Sequence, residues 1–72
     1  MNSENLVKMA NQISLFFEGQ AGPDAPAGVA EHLRKFWDPR MRTAIIAHAH
    51  AGGAGLRESA ARAVALLEAP AP

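Results

Sequence analysis

Apolar side chains recur every three or four residues along most of the chain, and glycine- or proline-bearing stretches separate the runs. Leu6, Met9, Ala10, Ile13, Phe16 and Phe17 share one stripe of a helical wheel, which predicts a helix over 3–18. Ser3 is an N-cap residue type, Glu4 suits the positive helix end, and Gly19 stands where a helix would stop. Val7 and Leu15 fall off the stripe and as a pair point to a second contact surface. Residues 19–27 read as a loop by composition, with Asp24 able to cap a second helix and Pro26 in its first turn. Val29, Leu33, Phe36 and Trp37 follow at i, i+4, i+7 and i+8, so the second helix covers 25–37. Proline disfavours helical geometry in the residue before it, which ends that helix at Asp38. The same dipeptide starts a third helix over 39–51, with Asp38 as N-cap and Pro39 at the first position.

Met41, Ala44, Ile45 and His48 form the inward face of that third helix, and Gly52-Gly53-Ala54-Gly55 ends it. The fourth helix covers 56–69, with Leu56, Ala60, Ala63, Val64 and Leu67 inward, and 70–72 is a frayed tail. There is no long alternating strand pattern, internal repeat or heptad run. The expected architecture is all-α: a small bundle of about four short helices forming a single domain over 1–72.

Composition narrows what such a bundle can do. Of the 49% hydrophobic residues 16 are alanine, so few large side chains remain to build a core. A chain this short hides only ~60% of the surface its unfolded form exposes. With no cysteine, neither a disulfide staple nor a thiolate zinc finger is available. An enzyme with its own cofactor domain is excluded by length. Seven basic residues balance seven acidic ones, whereas nucleic-acid binders usually carry a basic excess. The first twenty residues lack a basic region ahead of an apolar stretch, and no run approaches 18 apolar residues. The expectation is a small, soluble, intracellular protein that binds neither membrane nor nucleic acid.

Candidate chemistry is sparse. His48 and His50 are two residues apart, about 200° around a helix, so their rings diverge, whereas a helical bis-histidine site needs i,i+4 spacing. His48 lies on the apolar face and reads as a hydrogen-bonded core histidine; His32 and His50 read as solvated or interface residues. Ser3, Ser14, Thr43 and Ser59 form no nucleophile–base arrangement. Glu18, Asp24, Glu31, Asp38, Glu58 and Glu68 are scattered, with no pair placed for acid–base work. The glycine-rich stretch lacks the Lys-Ser/Thr of a phosphate loop and reads as helix punctuation.

The segment 31–42 is different. It holds Arg34, Lys35, Arg40 and Arg42 and the only tryptophan. A packed helix corner needs Phe36 and Trp37 as filler but has no need of four cations. The alternatives are a core corner with a solvated rim and a protein-binding surface, since Trp and Arg are enriched in interface hot spots.

These residues also carry a resemblance. Leu6-Val-Lys-Met-Ala-Asn-Gln-Ile13, Phe16-Phe17, the run from Gly28 to Arg42 and Ala51-Gly-Gly resemble the delta subunit of NAD-dependent formate dehydrogenase. The string Phe36-Trp-Asp-Pro-Arg-Met-Arg42 is the most specific part. The resemblance implies an accessory subunit of a cytoplasmic molybdenum enzyme. Formate would be oxidised in the alpha subunit at a bis-molybdopterin guanine dinucleotide centre. Iron–sulfur clusters and FMN in other subunits would pass the electrons to NAD. The delta chain would carry no cofactor, metal or catalytic residue, and would stabilise the complex or assist cofactor insertion into alpha.

On this basis Arg34, Phe36, Trp37, Arg40, Arg42 and Ile46 are the candidate contacts for the alpha, beta or gamma subunits, while Asp38 and Pro39 hold the corner. Arg40 and Arg42 are the leading candidates for direct contact, with Arg42 and Ile46 one turn apart on the outer face of the third helix. Off-stripe Val7, Leu15 and Ile46 raise a separate expectation, a homodimer when the chain is isolated. The competing class is a helix-turn-helix DNA-binding module reading bases with Arg57, Ser59 and Arg62.

Overall fold

The computed structural model describes residues 2–68 and contains four α-helices. They are α1 (Ser3–Ala21), α2 (Ala25–Phe36), α3 (Pro39–His50) and α4 (Glu58–Glu68), with a 3-10 turn at Gly22–Asp24. Among the described residues there is no strand. The expected end of the fourth helix at Ala69 and the tail 70–72 lie outside the described residues.

Small side chains decide how the helices meet. Ala10 and Ser14 on α1, Ala25 and Ala30 on α2, and Ala60 and Ala63 on α4 are all buried. Alanine at these positions lets helix backbones approach closely, and the larger side chains fill what remains. Leu33, Ile45, Val29 and Val64 are the largest fully buried apolar groups. α2 lies at the centre, with its broadest contacts to α4 and α1, and α3 packs mainly on α4. The alanine-rich composition is therefore a packing device as well as a helix former.

α1 differs from its sequence pattern at both ends and in its buried face. Asn2, not Ser3, is the N-cap: its Oδ1 accepts from the Glu4 N–H at 2.8 Å. The helix runs through Gly19 to Ala21 and stops at Gly22, whose φ is +53°. Gly22 can adopt that backbone and the following Pro23 cannot continue the hydrogen-bond ladder; Gly19 was only a permissive residue inside the helix. The buried face is Leu6, Val7, Ala10 and Ser14, whereas Met9 and Phe16 of the expected stripe are 41% and 60% exposed.

The cause of that rotation is the glycine loop. It folds back on α1, so that a Cβ on Gly55 would sit 3.4 Å from Val7 Cγ1. Asn11 fixes the loop from below: its Nδ2 donates to Gly55 O at 2.9 Å and its Oδ1 accepts from Arg57 N at 2.9 Å. Val7 is thus covered by a segment almost fifty residues away, and only Leu15 of the off-stripe pair stays exposed. Ser14 is fully buried, and its hydroxyl donates to Ala10 O at 2.9 Å.

Gly52, Gly53 and Gly55 all have positive φ, and Gly53 N donates to His48 O at 3.0 Å, which closes the end of α3. The His48 ring reaches forward to Ala54 O at 2.8 Å and is half-buried, so it ties the loop at the rim of the core instead of sitting inside it. Asp24 precedes α2 without a side-chain capping bond, and Pro26 lies in the first turn.

Candidate partner-binding surface

The corner between α2 and α3 begins with Trp37, the extended residue that ends α2. Its N–H donates to Leu33 O at 3.0 Å, and its indole is only 5% exposed. The chain turns at Asp38, whose Oδ1 accepts from Met41 N at 3.0 Å, and Pro39 opens α3. Phe36 points the other way and is 72% exposed, so the two adjacent aromatics do not share the role of core filler.

Among the described residues the cations of this segment separate into two braces, one ion-paired lysine and one arginine without a side-chain bond. The last carbonyls of a helix have no partner within it and sit at its negative end. Arg42 answers both needs for α2, donating through Nη1 to Arg34 O at 3.2 Å and to Trp37 O. Arg34 does the same for the end of α4, donating through Nη2 to Leu66 O at 2.7 Å. Lys35 pairs with Glu31 at 2.8 Å one turn back, and Lys35 holds the Glu31 carboxyl below its ordinary range. Arg40 has no side-chain hydrogen bond or ion pair among the described residues. It lies with Pro39, Thr43, Ala44 and Ala47 along a shallow surface hollow.

Ile46 does not lie on the outer face of α3. It packs partly buried against the core, because Arg40, Thr43 and Ala47 take the outward positions and turn 42 and 46 to the flank.

The cations of α4 and of the loop before it each face a carboxylate. Arg57 donates through Nε and Nη2 to the Glu18 carboxylate at 3.2 and 3.0 Å, and Ser59 Oγ donates to the same group at 2.6 Å. These bonds lower the Glu18 pKa, Arg57 most and Ser59 next, and Glu18 in turn raises that of Arg57. Arg62 pairs with Glu58 at 3.5 Å. The three residues that a helix-turn-helix would use to read bases are thus engaged within the fold, which gives that alternative no support from geometry. His50 pairs with Glu68 across the ends of α3 and α4.

Sequence reasoning missed a second surface feature. Phe16, Phe17, His32 and Phe36 form a row of rings across α1 and α2, with successive centroids 5.3, 6.1 and 4.7 Å apart. The available signal was the bare glycine at 28: a Cβ there would lie 2.6 Å from Phe17 Cδ1, so the ring packs directly against the α2 backbone.

Among the described residues no three His, Asp or Glu side chains converge as metal ligands, and the chain has no cysteine for a cluster.

Fold and surface together define a small helical protein in which several arginine, histidine and glutamate side chains tie elements of the fold together, while Phe16 and Phe36 stay exposed at the surface. The family model described as NADH-dependent formate dehydrogenase delta subunit FdsD matches residues 5–64, and the chain belongs to that family. No curated protein and no solved structure matches it. Among the described residues no helix is long and apolar enough to cross a membrane.

Proposed function

We propose that this chain is the non-catalytic accessory subunit of a cytoplasmic NAD-dependent formate dehydrogenase, binding the catalytic alpha subunit and steadying it while its molybdenum cofactor is inserted and retained. The observation that supports this most is the division of labour among side chains. Arg34, Arg42, Arg57, His48, Asn11 and Ser59 bond within the fold, whereas among the described residues Arg40 makes no side-chain bond and Phe36 projects from the α2–α3 corner 72% exposed with the His32 ring at its side. Folding this chain gives no reason to keep a phenylalanine 72% exposed; an interface does.

Of the candidate contacts, Phe36 and Arg40 touch the partner in this reading, and Arg34, Trp37, Arg42 and Ile46 shape the surface that presents them. The pterin, clusters and FMN reside in the alpha, beta and gamma subunits. The test is to produce the enzyme with and without this chain and measure molybdenum content and the yield of assembled complex. Both fall when the chain is absent and recover on its co-expression. Unchanged molybdenum and unchanged assembly would overturn the proposal.

A further inference from the structure

The row of rings across α1 and α2 is built, and it is surplus to the fold. Gly28 lets Phe17 lie against the α2 backbone; Phe17 meets Phe16 edge-on at 89° on one side and His32 edge-on at 66° on the other, and His32 lies tilted at 44° beside Phe36. None of Phe16, His32 and Phe36 belongs to the core cluster, and the two phenylalanines at the ends are 60% and 72% exposed.

Two shallow hollows flank the middle of the row. One, of about 280 Å3, is bounded by Ile13, Phe16, Phe17 and His32; the other, of about 240 Å3, by Phe17, Gly28, His32 and Phe36. Ring-to-ring steps of 5.3, 6.1 and 4.7 Å resemble the roughly 5–6 Å between neighbouring side chains on one face of a helix. The geometry points to a docking groove for the apolar face of an amphipathic helix contributed by another subunit of the formate dehydrogenase, with one aliphatic side chain in each hollow. This rests on the accessory-subunit reading and names the chemistry of its partner.

Area and charge select that occupant over a second copy of the chain. With Met9 on the same side of α1, the ridge offers on the order of 400 Å2 of apolar surface. A stable specific interface takes about 800 Å2 from each partner, so two ridges face to face would not hold a dimer. A larger subunit supplies the remaining contact elsewhere. Beside the hollows Glu31 and Lys35 neutralise each other at 2.8 Å, and Gln12 is uncharged, so the groove calls for apolar anchors without a compensating charge.

The test titrates enzyme assembled without this chain against the wild-type chain and against Phe16→Ser/Phe36→Ser. Both positions are exposed, and helical circular dichroism verifies that the variant is folded. The expected result is wild-type binding and at least about 30-fold weaker binding of the variant, the scale of one interface hot spot. Equal binding of the two would overturn the groove and leave the accessory-subunit reading standing, whereas failure of the wild-type chain to bind would remove that reading itself. A photo-crosslinker in place of Phe36, in the assembled enzyme, gives an independent readout. It should label the apolar face of a helix in another subunit; labelling of a second copy of this chain, or of a loop, would overturn the assignment.

Discussion

Replacing Arg42 with alanine separates bracing from contact more cleanly than any other single change. Its guanidinium donates to Arg34 O and Trp37 O at the negative end of α2, and the side chain is half-buried in the corner. A hydrogen bond from a charged donor contributes about 1.5–3 kcal/mol when sheltered. Water can replace part of two such bonds at a half-exposed site, which brings the loss to roughly 2 kcal/mol. For a domain of this size each kcal/mol shifts the melting temperature by about 4–8 °C, so Arg42→Ala should melt some 8–16 °C below wild type. Arg42→Lys keeps the charge but not the planar fork, and should recover less than half of that loss. Arg40→Ala, which removes no bond among the described residues, should melt within about 4 °C of wild type, as ordinary surface changes of up to about 0.5 kcal/mol do. Thermal unfolding followed by circular dichroism at 222 nm reads all three. An Arg42→Ala chain that melts with wild type would refute the bracing role and return Arg42 to the contact residues.

Other positions test other parts of the fold. Leu33→Ala empties a fully buried site and should cost about 2–5 kcal/mol in a denaturant titration, enough to leave so small a chain largely unfolded at 37 °C; a cost under 1 kcal/mol would show that Leu33 is not in the core. Asp38→Ala removes the cap on Met41 N and should cost about 1 kcal/mol, while Asp38→Asn, which keeps an acceptor, should stay near wild type. Glu18 has a folded pKa below its ordinary value of 4.5, so the stability it confers is present above that value and is lost as the pH falls through the lowered folded pKa. Melting temperatures of wild type and Glu18→Gln should therefore differ at pH 7 and converge as the pH falls below 4.5 toward the lowered folded pKa; identical melting temperatures of the two at pH 7 would contradict the Glu18–Arg57–Ser59 arrangement.

What the sequence revealed and what it hid divides along local and long-range lines. The Asp38-Pro39 corner, the glycine stop after α3 and the inward face of α4 depend on residues within one turn of one another, and the pattern displays them. The helical pattern places Val7 and Phe16 on the wrong sides of α1 because the loop that covers Val7 arrives from residues 51–57, which no helical wheel contains. Arg34 and Arg42 looked like surplus cations since nothing in a sequence reveals that a guanidinium will meet Leu66 O or Trp37 O. The string around Phe36-Trp37 was legible as distinctive, yet its two aromatics serve opposite ends: Trp37 seals the corner and Phe36 ends an exposed ridge.

The most direct test of the central claim is native mass spectrometry of formate dehydrogenase purified from its host through a tag on this chain. The account predicts one assembly in which the 7.6 kDa chain is present at a fixed ratio to the catalytic subunit and carries no cofactor mass of its own. Recovery of the tagged chain by itself, while active enzyme elutes without it, would contradict the account.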